Sequence, residues 1–495
     1  MKTGRERKRP VGMYKHRTHR ATVPLRLSAV YCTIRKHGTR SSHNKGVTVA
    51  RIAPFQGIRY DIDRVGSLDE VVAPPYDVIS PEYRSELLQK SEWNIVGVDL
   101  PEKEQPNEDD SMRYRRAGKT WQSWLKQGML SADLAPALYV VVERFTTPLG
   151  EPGVRRGFIT SLELEELGAN TVAPHEKTFA GPKLDRLNLM RTTRANLSQV
   201  FALYRDPERI LDAAFDRATN REPDMVAHAS DGERRVWAIT DSRTIAVAQE
   251  VLAASALTIA DGHHRYETAL TFRNEARETG GPAGAESLMV YLANMDDPNL
   301  AILPYHRVVK LSPDLDVAGW RQHIEDAFVV EAAAMDRPIQ LLSDRLGSGS
   351  GEPYRFGLFT RQWGWELATL RSWDAVASFI DPTHSDAWRR LDVAVLHEVL
   401  LGELARRAMV DDGEPISEAT YTVDPTRAEK LVREGTRDVF CMLRATAPEQ
   451  IGEVVQAGDT MPQKSTYFYP KLLTGLVMRT LDPIEQLPTH GMKDA

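Results

Sequence analysis

A short run of the sequence combines an acid, two imidazoles and a guanidinium, at Asp261-Gly262-His263-His264-Arg265. Residues 256–260 predict a short buried strand, and residues 266–276 have helical spacing. A glycine allows the tight bend between them, and the unpaired amides at the start of a helix attract anions. We therefore predict a phosphate site at this turn, with Gly262, His264 and Arg265 as ligands and Asp261, His263 and His264 as catalytic candidates. A capped turn with structural or solvated histidines is the alternative.

A second run, Ala-Pro-His-Glu-Lys-Thr at residues 173–178, places a carboxylate in an unusually cationic stretch. Glu176 is predicted to be a general base, because a carboxylate can accept a hydroxyl proton while nearby cations neutralise a transferred phosphoryl group. His175, Lys177 and Arg194 are predicted to bind that phosphate. Taken alone, the run is typical of a loop ion pair, so its significance depends on its pairing with the turn at Asp261.

Further candidate pocket residues stand outside these two runs. Tyr76 and Asp77 end a proline-stiffened loop, which either lines a pocket or crosses a sheet edge. Asp296 follows a predicted strand, where a carboxylate either holds a hydrated magnesium ion or caps a turn. Glu267 lies on the predicted helix after the turn. Glu267 and Asp77 are the next candidates for the general base after Glu176.

Lys464 belongs to a run, residues 458–465, that nearly has the spacing of a Walker A phosphate loop. Gln463 replaces the second glycine of that pattern, so the loop cannot cradle phosphates in the Walker manner. Lys464 is still predicted to reach an anion, with packing of its aromatic neighbours as the alternative.

Patterns for zinc sites and covalent nucleophiles are missing from the sequence. His263 and His264 are adjacent, so they cannot both face one ion from a helix. The two cysteines, Cys32 and Cys441, lack histidine-rich surroundings, and there is no Gly-x-Ser-x-Gly run. We expect no zinc, haem or flavin, whereas magnesium at Asp261 stays open.

Length and composition indicate a soluble protein of the cytoplasm with more than one domain. The chain has 495 residues, of which 42% are hydrophobic and 27% charged, whereas a typical domain has about 100 to 200 residues. Two cysteines provide no disulfide framework. No apolar run approaches the roughly 20 residues that span a bilayer, and the N-terminus lacks a hydrophobic signal core, so no membrane association is expected.

The first 50 residues are strongly basic, whereas the rest of the chain is acidic. They contain 13 Lys and Arg against one acid, Glu6, a net charge of +12, and the other 50 basic and 68 acidic residues give −18. We predict a disordered extension or an over-long gene start, with binding to nucleic acid or another acidic surface as the alternative. The acidic body argues against a broad nucleic-acid footprint.

Strand and helix patterns alternate through most of the chain. Strands are predicted at 137–145, 158–164, 235–239 and 287–295, and helices at 111–128, 207–217 and 244–254. After a glycine- and serine-rich run at 347–351, helices are predicted at 391–407 and 425–434, with a strand at 439–443. The prediction is a mixed α/β protein in three parts: the basic extension (1–50), a catalytic α/β domain (51–346) and a smaller C-terminal α/β unit (352–495). A hairpin loop within one domain is the alternative for the glycine- and serine-rich run.

Five runs together resemble a bacterial family, domain-of-unknown-function family 1015. They are residues 54–60, 72–78, 174–178, 259–270 and 464–470. The resemblance covers about residues 51–480 and leaves the basic extension outside. The family's Asp-Gly-His-His-Arg turn is similar to that of the ParB and sulfiredoxin-like superfamily, whose members hold nucleotide phosphates there. This resemblance implies a ParB/sulfiredoxin-like core with insertions.

Within that superfamily, the free-serine kinases carry a Pro-His-Glu segment upstream of an Asp-Gly-His turn, the order found here. By this resemblance Glu176 activates a substrate hydroxyl, Asp261 orients the substrate or a magnesium ion, and the groups from His263 to Arg265 bind the transferred phosphate. We therefore expect a kinase or phosphatase acting on a small hydroxylated metabolite of the serine or phosphoserine class, with Mg²⁺ and ATP or ADP as cofactors. A nucleotide-dependent ParB-like DNA-binding module is the alternative, against which the acidic body and the missing helix-turn-helix pattern count.

Overall fold

Two large β-sheets organise the computed structural model, which describes residues 50–167, 171–176, 180–333, 338–347 and 353–484. Several predictions fall outside these residues: those for positions 1–49 of the basic extension, for Lys177 as a phosphate ligand and for most of the glycine- and serine-rich run.

The strands of the described residues are β1 (Ile52–Ala53), β2 (Ile58–Tyr60), β3 (Leu130–Ala132), β4 (Leu138–Thr146), β5 (Pro152–Glu163), β6 (Val172–Ala173), β7 (Ala195–Asn196), β8 (Val200–Tyr204), β9 (Met225–Ala229), β10 (Gly232–Ile239), β11 (Leu257–Asp261), β12 (Ser287–Asn294), β13 (Ala301–Leu303), β14 (His306–Leu311), β15 (Phe328–Ala332), β16 (Arg355–Thr360), β17 (Gly364–Leu370), β18 (Ile416–Thr422), β19 (Val439–Met442), β20 (Tyr467–Tyr469) and β21 (Arg479–Thr480).

The α-helices are α1 (Ile62–Val65), α2 (Leu68–Val71), α3 (Pro81–Lys90), α4 (Val96–Asp99), α5 (Asp110–Lys126), α6 (Ala180–Thr193), α7 (Ile210–Ala218), α8 (Ser242–Ala253), α9 (His263–Thr279), α10 (Val317–Ala327), α11 (Pro338–Leu346), α12 (Asp386–Arg389), α13 (Asp392–Ala394), α14 (Leu404–Arg406), α15 (Pro425–Arg433) and α16 (Pro448–Gln456). A π-helix, Val395–Glu403, joins α13 to α14, and short 3₁₀ helices lie at Tyr76–Val78, Ala283–Glu286 and Ala377–Phe379.

The first sheet has nine strands, in the order β6-β11-β8-β12-β5-β4-β10-β9, with β1 also paired to β5. Strand β11 runs parallel to β6, and β12 runs parallel to β8, while the other pairs are antiparallel. Strand β12 is buried on both faces, because alternate side chains enter different cores. Val290 and Leu292 pack in the core that contains Leu270 of α9, and Met289 and Tyr291 belong to the other core.

The second sheet has six strands, in the order β15-β17-β16-β19-β14-β18, all antiparallel. Strands β14 and β15 precede the glycine- and serine-rich run, and the other four follow it. The division of the chain into domains stays a prediction.

The mixed α/β class predicted from the sequence is confirmed. The strand predicted at 256–260 is β11, displaced by one residue. The helix predicted at 266–276 is longer, because α9 begins at His263 and ends at Thr279 between two left-handed glycines, Gly262 (φ 89°) and Gly280 (φ 70°). None of the helices in the described part of the chain combines the length and the apolarity needed to cross a bilayer.

Candidate active site

The predicted turn between β11 and α9 is present. Strand β11 ends at Asp261, Gly262 takes the left-handed conformation, and α9 starts at His263 without a side-chain cap at its N-terminus. A side chain at position 262 would place its Cβ 2.9 Å from both Nε and Nη2 of Arg265, so the guanidinium would have to move from its observed position. Because α9 starts at this turn and has no side-chain cap, its first amides have no partner inside the helix. Unpaired amides at a helix start are what an anion site requires.

Asp261 is held between two cations. Its Oδ2 accepts a hydrogen bond from Nζ of Lys471, and its Oδ1 lies 3.4 Å from Nη2 of Arg265. Burial raises the pKa of Asp261, but Lys471 and Arg265 outweigh it, so the pKa lies well below its ordinary value. Burial lowers the pKa of Lys471, Asp261 raises it, and the net shift is upward. Both groups are therefore charged at neutral pH.

Arg265 is fixed by the loop before β8. Its Nη1 donates to the carbonyl of Gln199 at 2.5 Å and to Oγ of Ser198 at 3.2 Å. Its Nε is buried and has no hydrogen-bond partner among the described residues. A buried donor without a partner costs free energy, so this arrangement suits a group that a bound anion completes.

The buried histidines connect the two predicted runs. The backbone N–H of His175 donates to Nε2 of His263 at 3.2 Å, and the two rings meet edge to face at 4.7 Å. The Nδ1–H of His175 donates to the carbonyl of Ile259 in β11, and its Nε2 lies 3.1 Å from Oγ1 of Thr466. Burial, and then His175, lower the pKa of His263 well below its ordinary value. His263 is thus a neutral acceptor that joins the Pro-His-Glu run to the turn.

One cavity of about 270 Å³ is lined by Glu176 of the second run and by all five residues of the turn at 261–265. Its lining includes Tyr76, Asp77, Glu176, Asp261, Gly262, His263, His264, Arg265, Tyr305, Gln463, Lys464, Thr466 and Lys471. Burial lowers the pKa of His264, against a smaller opposing effect of Glu267, so this imidazole is neutral near pH 7. Burial also raises the pKa of Tyr76 to about 12, so its phenol keeps its proton. The cavity therefore combines one carboxylate paired to two cations, further carboxylates at Asp77 and Glu176, and the start of a helix.

Glu176 lies beside the buried part of the second sheet. Its side chain is 25% exposed, and its Oε1 is 3.8 Å from Nε2 of His175. Arg307 of β14 is buried near it, and donates to the carbonyls of Tyr305 and Gln463 and, at 2.8 Å, to Nε2 of His397. Burial lowers the pKa of Arg307 to about 10, with Glu176 among the groups that oppose the shift. The base candidate therefore lies at the cavity between His175 and the electrostatic influence of Arg307.

Several predicted site residues do not line this cavity. Glu267 accepts a hydrogen bond from Lys183 at 2.7 Å, and Arg194 pairs with Asp482 at 3.2 Å. Asp296 pairs with Arg205 and accepts a hydrogen bond from the backbone N–H of Asp206 at 3.0 Å. His175 is only 1% exposed and lies behind the lining, where its backbone contacts His263.

The cations of the stretch after Glu176 are also engaged elsewhere. Arg186 bonds to Asp99 and Asp185, and Arg191 pairs with Glu275. Among the residues that the structure describes, positive charge at the cavity comes from Arg265, Lys464 and Lys471. Lys471, Tyr305 and Thr466 were missed as site residues, although Thr466 lies inside the run at 464–470 and Lys471 directly follows it.

The donors at the cavity do not form a complete metal site by themselves. No group of three or more His, Cys, Asp or Glu side chains is placed to hold a metal ion within the described ranges. Both oxygens of Asp261 face cations, Lys471 and Arg265. Magnesium commonly takes one or two carboxylates together with substrate phosphates, so Glu176 and Asp77 fit such an ion better than Asp261 does.

Comparisons with known proteins identify a family. A model of the family described as "Protein of unknown function (DUF1015)" matches residues 52–394. No curated protein sequence matches the chain. Among solved structures, a conserved hypothetical protein from Pyrococcus furiosus matches at 13% identity and a TM-score of 0.27, covering 63% of this chain and 93% of that one.

Two further solved structures match to a similar extent. A mutant free serine kinase in complex with ADP has 13% identity and a TM-score of 0.30, covering 65% of this chain and 89% of that one. SbnI with a C-terminal truncation, from Staphylococcus aureus, has 9% identity and a TM-score of 0.29, covering 61% of this chain and 82% of that one.

Proposed function

Because this chain belongs to the DUF1015 family, whose description assigns no activity, we propose from its cavity that it is an enzyme of phosphoryl transfer. The substrate is a small hydroxylated metabolite of the serine or phosphoserine class, and the phosphoryl donor is a nucleotide. The observation that carries the proposal is that one cavity holds both Glu176 and the Asp261 turn. A carboxylate opposite a cationic anion site is the pair that phosphoryl transfer needs.

Glu176 acts as the general base in this proposal. It takes the proton of the substrate hydroxyl while that oxygen forms a bond to the terminal phosphorus of the nucleotide. The bond between this phosphorus and its bridging oxygen breaks, and the shortened nucleotide leaves with the electron pair. The amides of α9 and the guanidinium of Arg265 stabilise the negative charge on the transferred group. His264, being neutral, donates a single N–H to the same group.

Magnesium would enter this cavity with the nucleotide. Asp77 would supply its protein ligand, because Glu176 serves as the base, and the ion would neutralise negative charge on the nucleotide phosphates.

A thermal-shift screen tests the proposal most directly, because a ligand that binds only the folded chain raises its Tm. The purified chain is heated with ATP, ADP, CTP, serine and phosphoserine, each with and without magnesium. We expect a nucleotide and a serine-class ligand to raise the Tm. Arg265→Ala should reduce both shifts, whereas Arg191→Ala, which removes an exposed arginine of α6 paired with Glu275, should leave them unchanged.

Turnover then decides the reaction. Phosphorus NMR of the chain with serine and each nucleotide should show transfer of phosphate to the hydroxyl, or the reverse from phosphoserine. If phosphoserine yields free phosphate and serine without a nucleotide, the enzyme is a phosphatase. If no nucleotide or serine-class compound raises the Tm or is converted, the proposal is wrong.

A further inference from the structure

Lys471 is a largely buried lysine in the lining of the cavity. Its side chain is 13% exposed, and its ammonium pairs with Asp261 and lies 4.4 Å from the centre of the Tyr467 ring. Burying such a pair removes two charges from water, so the pair contributes little net stability. A buried ion pair facing a cavity is instead typical of a functional site.

The carboxylate of Asp261 has two cations as its immediate partners. Lys471 and Arg265 both lie against it, whereas Asp77 and Glu176 are the other carboxylates of the lining, so cations outnumber carboxylates in the direct contacts at the start of α9. An ammonium has three donors, and Asp261 accepts only one of them. The unpartnered buried Nε of Arg265 lies at the same place. All three features favour an anion bound against Lys471.

The backbone beside Lys471 is anchored to the first sheet. The carbonyl of Pro470 accepts a hydrogen bond from Nη2 of Arg155 at 2.7 Å. Arg155 is itself 1% exposed and pairs with Glu143 at 2.6 Å. A fixed backbone limits the movement of a flexible lysine, so its ammonium is already close to where it is needed.

We propose that Lys471 is a catalytic residue that contacts the transferred phosphoryl group, with Asp261 as the carboxylate that holds its ammonium in place. The assignment rests on the proposed function. It also gives Asp261 a different role from the one predicted, because the carboxylate orients a lysine in place of the substrate or a magnesium ion. Lys471 remains charged in the free enzyme, so no proton has to move before the phosphoryl group binds.

Variants at Lys471 and at one control position test this assignment. Lys471→Met removes the charge and keeps much of the side-chain length, and Lys471→Arg keeps the charge. Lys430→Met is the matched control, since Lys430 of α15 is 72% exposed and does not line the cavity. Affinity for ADP and ATP is measured by calorimetry, and turnover with the substrate that the screen identifies.

We expect Lys471→Met to lower turnover by at least about 100-fold and nucleotide affinity by about tenfold, because it loses a charge-assisted hydrogen bond to phosphate. Lys471→Arg should keep most of the affinity and lose turnover, and Lys430→Met should match the unaltered chain. Lys471→Ala should regain part of its turnover in added ethylammonium, an effect that a merely structural lysine would not produce.

The outcomes separate the two proposals. If the unaltered chain binds no nucleotide, the proposed function and the role of Lys471 both fail. The other case is that the unaltered chain binds and turns over nucleotide. If Lys471→Met is then folded, and its turnover and nucleotide affinity are within twofold of those of the unaltered chain, only the role of Lys471 is wrong. If Lys471→Met does not fold, Lys471→Arg and the ethylammonium rescue decide, and unchanged turnover in Lys471→Arg together with no rescue of Lys471→Ala overturns the assignment.

Discussion

Glu176 is the side chain on which the proposed proton transfer depends. Glu176→Gln keeps the shape and hydrogen-bonding capacity of the side chain but cannot accept the hydroxyl proton. Turnover should therefore fall by about 10² to 10⁴ while the affinity for substrate and nucleotide stays nearly constant. The measurement is steady-state turnover together with calorimetric binding. Full activity of the variant would assign the base to Asp77, the other carboxylate of the lining that is not held between two cations.

Asp261 should make stability depend on pH in the acid range. Its pKa is lowered in the folded chain, since Lys471 and Arg265 overcome the effect of burial. A lowered pKa means that the folded state binds the proton less readily than the unfolded state. The ionised Asp261 therefore contributes fully to the free energy of unfolding above the pKa of an unfolded aspartate, about 4. This contribution is lost as the pH falls below that value. Urea unfolding at pH 3 to 7 should show Asp261→Asn less stable than the unaltered chain above pH 5, with the difference shrinking below pH 4. A constant difference across this range would contradict the ion pair.

At the scale of elements, the junction of β11 and α9 gives a matched pair of glycine variants. Gly262→Ala and Gly280→Ala both force a left-handed conformation on a residue with a side chain, at a cost of about 1 to 2 kcal/mol each. Only Gly262→Ala also drives a Cβ against Arg265, because the space around Gly280 is open to 4 Å. Urea unfolding should show similar losses of stability, whereas nucleotide affinity should fall only in Gly262→Ala. Equal affinities would show that the position of Arg265 does not matter for binding.

Some elements could be predicted from the sequence and others could not. Apolar runs and helical spacing identified β11 and α9, because those signals are local. The π-helix at Val395–Glu403 was predicted only as part of a helix, since its hydrogen-bond pattern has no signal in the spacing. The hairpin of β16 and β17 was not predicted at all. Its pairing with β19 and β15 is decided by long-range contacts, as strand formation commonly is.

At the scale of the whole molecule, the cavity depends on contacts between distant parts of the chain. Lys471 and Asp261 are 210 residues apart, and His175 and Thr466 are 291 apart. No local pattern indicates such pairs. The Asp261 turn and Glu176 were predicted because each carries its chemistry in a short run, whereas Lys471, Tyr305 and Arg307 become site residues only when the second sheet and the C-terminal strands have assembled around the turn.

Arg307 provides the test of that assembly. It lies on β14 of the second sheet, yet its guanidinium donates to the carbonyls of Tyr305 and Gln463, two residues of the cavity lining, and to His397 of the π-helix. Arg307→Lys keeps the charge but cannot make these three hydrogen bonds at once, because an ammonium lacks the planar fork of a guanidinium. We expect a loss of about 1 to 3 kcal/mol in unfolding free energy and an increase of about tenfold in KM, since the cavity wall shifts.

Arg321→Lys is the control for this variant. Arg321 of α10 makes a comparable set of bonds to Glu366 and Glu325 but does not line the cavity or support a residue that does. It should lose stability to a similar degree while KM and kcat stay unchanged, as measured by urea unfolding and steady-state kinetics. If both variants lose stability and neither changes KM, the second sheet supports the fold without shaping the site, and the positions of Tyr305 and Gln463 are then set by β20 and the run before it.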